Sequence, residues 1–518
     1  MNKKIKICIF LGLLSCQQFL FAAYDWILPA TNISTPGQNA YEQQIAMDQS
    51  GNAIAVWRRS DGTKFIIQAS KWNGSSWSTP DDLSASGQNA SRPQIAMDQS
   101  GNAIAVWQRY NGTDFIIQAS KWNGSSWSTP TDLSVTGQES ITPQIAMDQS
   151  GNAIAVWSRY NGTDFIIQAS RFNGTSWSTP TDLSVTGQGS FSPQIAMDQS
   201  DNAIAIWYRS NGTNTIIQAS RFNGTSWSTP TDLSASGQNA NHQQIAMDQS
   251  GNAIAVWYRS NGTNAIIQAS RWDGTSWSTP TDLSVTGQDS STPQIAMDQF
   301  GNAIVVWSRS NGTNIIIQAS RFNGSEWSTP TDLSETGQDS STPQIAMDQS
   351  GNAIAVWSRS NGTNYIIQAS RWDGSEWSTP TDLSETGQSS SIPQIAMDQS
   401  DNAIAVWYRS NGTNTIIQAA RFEDIPSNTT DITITATQKF YRYPTQGDLT
   451  HILKWDSVAN STKYVFYINT CPEISIAEVN ATTTCLELHR RCPGKTINYI
   501  IKAFDSSNNI IATGSITI

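Results

Sequence analysis

One repeat with a fixed period constrains this chain more than any other feature. The segment QIAMDQ begins at eight positions that lie 50 residues apart, without insertion or deletion: Gln44, Gln94, Gln144, Gln194, Gln244, Gln294, Gln344 and Gln394. A period of this length indicates a solenoid, a propeller or an array. The secondary structure inside one unit decides between these architectures.

Each unit reads as a set of short β-strands joined by tight turns. In one representative copy, apolar runs occupy 344–347, 353–357 and 366–369, and the turn residues 348–352 and 360–363 separate them. Helical repeats would place apolar residues three and four positions apart, and this spacing does not occur. With a fourth, weaker strand at the end, the unit matches one blade of a β-propeller.

The two ends of the repeat array complement each other. The last unit has three strands and ends at Phe422, whereas Trp26–Ser34 aligns with the fourth-strand segment Trp377–Ser384, allowing one extra residue. A strand from the N-terminal end that completes the last blade would remove the two free edges of an open array. We therefore predict an all-β fold, an eight-bladed β-propeller closed by an N-terminal outer strand.

Residues 1–23 have the pattern of an export signal. Three lysines near the start precede the apolar stretch 7–14, and small residues at the end provide a cleavage region at Ala23. The residues before Cys16 loosely resemble a lipoprotein box, so a lipid anchor at Cys16 is the alternative. From this pattern we predict an exported protein, secreted or held at the cell envelope or surface. No later stretch reaches the ~20 apolar residues of a membrane span, so we predict no transmembrane segment.

The composition changes after the repeats. We assign residues 24–423 to the propeller, 424–430 to a linker and 431–518 to a small β-sandwich, because six or seven short strands are expected in this last segment. The cysteines that would remain after cleavage near Ala23 permit one disulfide, with the pairing left open. These candidates are Cys471, Cys485 and Cys492.

Aromatic residues of the last segment carry a family resemblance. Trp455, Tyr464 and Tyr467 are followed by Pro493–Gly494 and Tyr499, and in these positions the segment resembles a fibronectin type III domain. The resemblance implies that the tryptophan fills the core and that the late tyrosine caps a corner. It implies a spacer or adhesion module, with no chemistry of its own.

Two motifs of the repeat carry resemblances as well. MDQSGNAIAVW, as at 347–357, resembles the strand–turn–strand of bacterial exported propellers, and this likeness covers residues 24–422. Ser270–Trp277 is similar to the Asp-box of sialidase-like propellers, although its acidic position is shifted by one residue and most copies have Asn there, as at Asn73. An Asp-box stabilises a turn remote from catalysis, so the resemblance implies no activity.

An aspartate opens the turn between the first two strands of every unit. A short carboxylate at this position accepts hydrogen bonds from the N–H groups that follow. We interpret the column as structural and predict no metal site, since DQSGN lacks the closely spaced oxygen ligands of a calcium loop. The column consists of Asp48, Asp98, Asp148, Asp198, Asp248, Asp298, Asp348 and Asp398.

Tryptophan and arginine also recur in every unit, two residues apart and hence on one face of a strand. We interpret the tryptophans as packing between blades, with the arginines stacked on them. The alternative is a repeated ligand groove. Its candidate residues are Trp57, Arg59, Trp107, Arg109, Tyr110, Trp157, Arg159, Tyr160, Trp207, Arg209, Trp257, Arg259, Trp307, Arg309, Trp357, Arg359, Trp407 and Arg409.

Differences between the units concentrate in two connections. They occupy positions 58, 60, 64 and 65 of the first unit and residues 89–93, with their equivalents. In a propeller, both connections emerge on the same rim, whereas the turn on the opposite rim deviates only at Asp201, Asp401 and Phe300. We predict that the variable rim is the binding face.

Charge and repetition limit the classes of function. The 30 Lys+Arg against 41 Asp+Glu give a net charge of -11 and no visible basic patch, so we predict no nucleic-acid partner. Catalysis needs an asymmetric cluster, whereas the units repeat one environment and His242 is the only histidine of the repeats. We therefore predict that the chain is not an enzyme and needs no cofactor.

Two functions of different classes remain. The first is a multivalent lectin-like propeller that binds glycans, because weak sugar contacts gain avidity from repetition. The alternative is an adhesin or scaffold that grips a host or cell-surface protein through the variable rim. A sialidase-like glycosidase is a further alternative, but no arginine triad or tyrosine nucleophile can be assigned to it. The similarity of the units is also consistent with recent duplication alone.

Overall fold

The structure, a computed structural model, describes the backbone of residues 23–425 and of the strands between 430 and 517, and the side chains of residues 24–423. The predicted signal up to residue 22, the linker centre 426–429, and Cys16, Cys471 and Cys492 lie outside the described residues, as does the side chain of Cys485. The chain divides into two compact units, one of which is Trp26–Glu423.

This unit consists of eight four-stranded antiparallel sheets, numbered here as blades 1 to 8. The N-terminal strand is β1 (Ala23–Asn32). Blades 1 to 4 contain β2 (Ala40–Met47), β3 (Ala53–Ser60), β4 (Phe65–Trp72), β5 (Asp81–Asp82); β6 (Ala90–Met97), β7 (Ala103–Tyr110), β8 (Phe115–Trp122), β9 (Thr131–Asp132); β10 (Ser140–Met147), β11 (Ala153–Tyr160), β12 (Phe165–Phe172), β13 (Thr181–Asp182); and β14 (Ser190–Met197), β15 (Asn202–Ser210), β16 (Thr215–Asn223), β17 (Thr231–Asp232). Blades 5 to 8 contain β18 (Ala240–Met247), β19 (Ala253–Ser260), β20 (Ala265–Trp272), β21 (Thr281–Asp282); β22 (Ser290–Met297), β23 (Ala303–Ser310), β24 (Ile315–Phe322), β25 (Thr331–Asp332); β26 (Ser340–Met347), β27 (Ala353–Ser360), β28 (Tyr365–Trp372), β29 (Thr381–Asp382); and β30 (Ser390–Met397), β31 (Ala403–Ser410), β32 (Thr415–Ile425).

The eighth blade takes its outermost strand from the other end of the repeats. Its strand order is β1-β32-β31-β30, whereas every other blade is built from consecutive strands. The backbone N–H of Ile33 donates to the carbonyl of Ile417 at 2.9 Å, just beyond β1. The Ile417 N–H in turn donates to Ser34 Oγ at 2.8 Å.

The register of the strands explains which side chains share a face. In blade 1, Trp57 of β3 lies opposite Gln68 of β4, so both point to the same neighbouring sheet. The pairing of β2 with β3 shifts between Tyr41 and Gln44, and the same bulge recurs in the first strand of every blade. The residue inside each bulge has a positive φ, as at His242 with φ 53°.

The core lies between the blades. Trp107 of blade 2 packs with Ile54, Val56 and Ile67 of blade 1, and the same cluster recurs from blade to blade. The cluster around Trp57 joins blade 1 to Ile404 and Val406 of blade 8 in the same way. Each sheet is thus covered on both faces, which is why its middle strands are almost wholly apolar.

The other unit is also built from strands. They are β33 (Thr430–Asp431), β34 (Ile434–Tyr443), β35 (Gln446–Trp455), β36 (Lys463–Ile468), β37 (Ala477–Asn480), β38 (Cys485–Arg490), β39 (Asn498–Phe504) and β40 (Ile510–Thr517). They form a five-stranded sheet, β33-β40-β39-β36-β37, and a three-stranded sheet, β34-β35-β38. The fibronectin type III assignment and the domain boundaries stay predictions.

The structure confirms the all-β eight-bladed propeller with repeats of 50 residues. The described residues form strands and turns and contain no helix. Among them there is accordingly no helix long and apolar enough to cross a membrane.

Candidate functional site

The tryptophan column lies in the core of the ring. The eight side chains are the largest fully buried ones of the described residues, each with 0% exposure: Trp57, Trp107, Trp157, Trp207, Trp257, Trp307, Trp357 and Trp407. Their rings fill the space between neighbouring sheets, as the packing interpretation expects. A groove lined by these indoles does not fit their burial, because a ligand has no access to them.

The arginine column lies nearer to the surface, at the variable rim. Each of these residues is half-buried, and its Nε atom is buried without a hydrogen-bond partner in the described residues: Arg59, Arg109, Arg159, Arg209, Arg259, Arg309, Arg359 and Arg409. The distal nitrogens reach different carboxylates. Arg209 and Arg259 approach Asp232 and Asp282 at 3.9 Å.

Two further arginines of this column pair with the link between blades. Arg409 lies 2.7 Å from Glu385, and Arg359 lies 3.4 Å from Glu335. The repeated arginines therefore do not form eight equal environments. Their surroundings change with the variable residues of the rim.

Tyr110 and Tyr160 end the second strand of their blades on the same rim. Each packs against the phenylalanine opposite, Tyr110 on Phe115 and Tyr160 on Phe165, with ring centroids 5.5 Å apart. Tyr160 is 38% exposed, and its hydroxyl donates to the carbonyl of Gly162 at 3.0 Å. These rings give the rim an aromatic surface that the buried tryptophans cannot provide.

The aspartate column lies on the opposite rim and holds its turn together. Asp48 Oδ1 accepts hydrogen bonds from the N–H groups of Ser50 and Asn52 at 2.8 and 2.9 Å, and Asp48 Oδ2 accepts one from the Asn52 side chain at 2.8 Å. The same bonds recur at the other aspartates, as at Asp98. Aspartates of this column, with the neighbouring methionines and glutamines, line a cavity of about 250 Å³. Within the described part of the chain, no three His, Cys, Asp or Glu side chains are arranged to hold a metal ion.

Two blades replace the glycine of this turn. Elsewhere a Cβ on the glycine would meet the aspartate of the preceding blade, as at Gly101, 3.0 Å from Asp48 Oδ2. Asp201 and Asp401 stand at this position with φ values of 65° and 67°. Arg171 Nε donates to Asp201 Oδ1 at 3.1 Å, and Arg371 forms an ion pair with Asp401. Burial raises the pKa of Asp401, although the bond from Arg371 opposes this effect.

A belt of cation–π contacts, which the sequence analysis missed, joins neighbouring blades. Lys71 Nζ lies 4.3 Å from the ring centroid of Trp122 in the next blade, and Arg421 lies 4.2 Å from that of Trp72, across the junction of blades 8 and 1. The same contact recurs at other junctions. In the sequence, a basic residue stands directly before an aromatic one in every unit. The ring that the basic residue contacts belongs to the next blade, as Trp122 does for Lys71, 51 positions later.

The variable rim contains an open cavity of about 460 Å³ across blades 4, 5 and 6. Its lining combines one aromatic ring with hydroxyl, amide and imidazole groups. It consists of Ser192, Gln194, Tyr208, Thr215, Asn241, His242, Gln243, Gln244, Thr292, Pro293 and Gln294. Neither the tryptophan nor the arginine column contributes to it.

The polar and aromatic groups of this cavity are held by their neighbours. Tyr208 stacks on Phe191 with centroids 5.7 Å apart, and His242 packs on Tyr258 at 5.1 Å. His242 Nδ1 lies 2.6 Å from Asn241 Oδ1, so the ring donates from Nδ1 and its Nε2 can accept. Desolvation on the packed side lowers the pKa of His242, which favours the neutral ring at pH 7.

No family model matches the chain, and no curated protein does. Among solved structures, the chain is similar to an ulvan lyase of a polysaccharide lyase family bound to -[GlcA(1-4)Rha3S]-, with 11% identity, a TM-score of 0.46, and coverage of 66% of this chain and 95% of that one. An α-L-arabinanase from Penicillium chrysogenum has 11% identity, a TM-score of 0.36 and coverage of 64% and 92%. A Hadza microbial sialidase has 12% identity, a TM-score of 0.35 and coverage of 77% and 96%. Likeness at this level describes the fold and assigns no activity.

The prediction that the chain is not an enzyme is wrong as an exclusion. The similar propellers are named as a lyase, an arabinanase and a sialidase, so this architecture gives no ground for excluding catalysis. The physical reason lies in the rim. Eight equal environments would exclude an asymmetric cluster, but His242 and Asn241, which each occur once at their position in the repeat, line this cavity.

Proposed function

We propose that the variable rim binds carbohydrate at more than one place on the ring and that the protein is exported to do so. The observation that carries the proposal is the cavity across blades 4 to 6. Tyr208 offers an aromatic surface beside the amides of Asn241 and Gln243 and the imidazole of His242. Its volume of about 460 Å³ lies in the range of pockets that enclose small organic ligands, roughly 300–1,000 Å³.

The chemistry of this lining suits a sugar. A pyranose presents an apolar C–H face and a ring of hydroxyl groups, so it needs an aromatic plane together with neutral donors and acceptors. Amides can supply both kinds of group, and the neutral imidazole of His242, whose Nδ1 is bonded to Asn241, offers Nε2 as an acceptor. Repetition of such weak contacts around a ring raises the avidity for a polymer or a coated surface.

A fixed spacing between sites depends on a ring that stays closed. We infer that β1 closes it by completing blade 8. Trp26 and Ile33 are each only 4% exposed, and Gln418 Nε2 donates to Asn32 Oδ1 at 2.8 Å. In blade 1 the equivalent bond runs from Gln68 Nε2 to a carboxylate oxygen, Asp82 Oδ1, at 2.7 Å.

A protein-binding adhesin is the second candidate, and exposed apolar side chains of the same rim favour it. Val135, Val185 and Val285 are 59%, 62% and 57% exposed in the links between blades, and Tyr365 and Ile392 are each 43% exposed. Aromatic and aliphatic side chains of this kind anchor protein interfaces when they lie close together.

A binding screen with residues 24–518 tests the two proposals together. The chain is applied to a glycan array and to a panel of host and cell-surface proteins, next to a Tyr208→Ser variant that takes the residue present at Ser158, Ser308 and Ser358. We expect glycan signals that this variant weakens. One protein bound with one-to-one stoichiometry, without glycan signals, would support the adhesin instead.

The same preparation is incubated with ulvan and with arabinan, because the similar structures include an ulvan lyase and an arabinanase. New reducing ends or unsaturated uronate products would assign catalysis to the ring. Binding without product would place the chain among carbohydrate-binding proteins.

A further inference from the structure

Two junctions between blades share a set of residues that the other six lack. At the junction of blades 4 and 5, the set consists of Tyr208, Thr215, Asn239 and Gln243. At the junction of blades 8 and 1, the same types stand at Tyr408, Thr415, Asn39 and Gln43. The two sets are 200 residues, or four repeats of 50, apart around a ring of eight blades, so they lie half a ring from each other. We call them the 4–5 junction and the 8–1 junction.

The hydrogen bonds at the two junctions are equivalent. Asn239 Oδ1 accepts from the N–H of Thr215 at 2.9 Å, and Asn39 Oδ1 accepts from the N–H of Thr415 at 2.9 Å. Gln243 Nε2 donates to the carbonyl of Ser192 in the preceding blade. Gln43 Nε2 donates in the same way to the carbonyl of Ile392.

Both glutamines hold a buried Oε1 atom without a protein donor, as do other glutamines of the ring such as Gln68 and Gln118. Gln43 and Gln243 are 1% and 2% exposed, and the Oε1 atom of each has no hydrogen-bond partner in the described residues. A buried amide oxygen without a donor costs about 1–3 kcal/mol. Gln243 belongs to the lining of the rim cavity, so its amide group lies beside the space that a bound molecule would occupy.

Proline stands at the equivalent position of the six other blades, and it has no side-chain acceptor. These residues are Pro93, Pro143, Pro193, Pro293, Pro343 and Pro393. The backbone is the same in both cases, since the preceding residue has φ 53° at His242 and 51° at Thr292. The two glutamines therefore differ from the six prolines in side chain and not in backbone conformation, and they lie half a ring apart.

The two junctions differ in charge. At the 4–5 junction, the rings of His242 and Tyr258 pack together with centroids 5.1 Å apart. At the 8–1 junction, the equivalent positions hold an ion pair, Glu42 with Arg58 at 3.0 Å. Arg92 is exposed and stands at the position equivalent to Thr292. Its backbone N–H donates to Glu42 Oε2 at 2.6 Å. The equivalent positions of the second junction thus hold two arginines and one glutamate.

We propose that the ring carries two opposed saccharide sites, each with a buried glutamine oxygen at its base, and that they differ in specificity. The site at Gln243 takes an uncharged sugar, whose hydroxyl donates to Oε1. The site at Gln43 takes an acidic sugar, whose carboxylate or sulfate pairs with Arg92. This inference rests on the proposed carbohydrate binding and adds its valency, its anchor and the class of sugar at each end.

Titration calorimetry with two matched variants tests the proposal. Gln243→Pro and Gln43→Pro each install the residue of six other blades, so the ring is expected to fold and the thermal midpoint serves as the control. The probes are lactose, maltose and cellobiose for the uncharged site and trigalacturonate for the acidic one. We expect Gln243→Pro to weaken binding of a neutral disaccharide about 10-fold, as the loss of a hydrogen bond of ~1.4 kcal/mol requires, and to leave trigalacturonate unchanged.

We expect the reverse pattern for Gln43→Pro, and Arg92→Thr should lower trigalacturonate affinity in a salt-dependent way. His242→Thr, which keeps the glutamine, should weaken the neutral probe alone. Saccharide binding that both proline variants reduce equally, or that neither reduces, would overturn the two-site inference and leave carbohydrate binding in place. If no array glycan and no probe binds to the wild-type chain, both the inference and the proposed function fail.

Discussion

At the scale of single residues, repetition and function belong to different side chains. The tryptophan column repeats in all eight units because each ring fills the same gap between two sheets, and its exposure is 0% throughout. In the rim cavity, by contrast, His242 and Asn241 each occur once at their position in the repeat. Identity between the copies therefore reports packing, and the departures from it point to the candidate binding site.

The tryptophans support a prediction on stability. We expect Trp157→Ala to destabilise the ring by about 3–5 kcal/mol, because the change removes a large side chain and leaves a cavity between blades 2 and 3. Urea unfolding of the purified chain measures the loss. Val185→Ala, at a side chain that is 62% exposed, is the control and should change the stability little. Equal losses for the two variants would contradict the packing assigned to the column.

Two aspartates support a prediction on pH. Hydrogen bonds from backbone N–H groups of the turn, that of Ser276 first, lower the pKa of Asp273 to about 2, and those from Glu376 and Ser375 lower that of Asp373 to about 2. A lowered pKa in the folded state gives stability that is complete above the ordinary pKa of 3.8 and is lost as the pH falls through 2. Thermal unfolding between pH 5 and pH 2 should therefore show a steeper loss in the wild type than in the Asp273→Asn, Asp373→Asn double variant.

The double variant has a built-in reference. Asn73 accepts the same turn bonds in blade 1, at 3.0 Å from the N–H of Ser75 and 2.9 Å from that of Ser76. Asparagine does not titrate, so the variant should keep the turn and lose only its pH dependence. Identical pH profiles for the two proteins would show that these carboxylates do not contribute.

At the scale of the strand, the outermost strand of each blade is the element that differs between blade 8 and the other seven blades. The fourth strand of blades 1 to 7 is only two residues long, as in β5 (Asp81–Asp82), yet the leucine and serine that follow it are buried. In blade 8 the corresponding residues come from β1 and the segment after it, and their bonds to β32 match those inside the other blades.

A matched pair of serines tests the closure. Ile417 N–H donates to Ser34 Oγ at 2.8 Å across the ends of the array, and Ile167 N–H donates to Ser184 Oγ at 2.9 Å inside blade 3. We expect Ser34→Ala and Ser184→Ala to cost about the same, roughly 1–3 kcal/mol, since each leaves a buried N–H unpaired. Urea unfolding compares them. A loss at Ser184 without one at Ser34 would show that β1 does not close the ring in solution.

At the scale of the whole ring, eight similar blades give a frame on which a few differences acquire fixed positions. The 4–5 and 8–1 junctions repeat each other after four blades, and Asp201 and Asp401 of blades 4 and 8 do the same on the opposite rim. By these residues, the ring consists of two halves of four blades each, and the same features recur in both halves. The net charge of -11 makes the extra cations Arg58 and Arg92 of the 8–1 junction a local exception.

Two opposed sites predict a specific form of avidity. On a surface that displays both lactose and trigalacturonate, the second contact becomes intramolecular, so the chain should leave this surface at least about 10-fold more slowly than a surface with one sugar. Dissociation rates from surface plasmon resonance measure the difference. Gln243→Pro should dissociate from the mixed surface at the rate of the single-sugar surface. Equal rates for the wild type on all surfaces would argue against simultaneous binding at the two ends.

Much of the fold could be predicted because its signal is local. The turn residues and apolar runs of one unit indicate a blade, and the fixed period gives the number of blades. The candidate site could be predicted only as a rim. Its cavity joins Ser192, His242 and Thr292, which belong to three blades and lie up to 100 residues apart, and no spacing within one unit indicates which of these residues meet.

The amino-acid sequence by itself determined the blade, the count of eight and the variable rim, because all three follow from comparing neighbouring residues and successive copies. Only the tertiary structure decided which repeated residues reach solvent. Trp57 and Arg59 share one strand face, but the neighbouring blade covers the first fully and the second in part. Only the tertiary structure likewise shows that the Oε1 atoms of Gln43 and Gln243 are buried without a hydrogen-bond partner in the described residues, because this depends on the positions of all neighbouring donors.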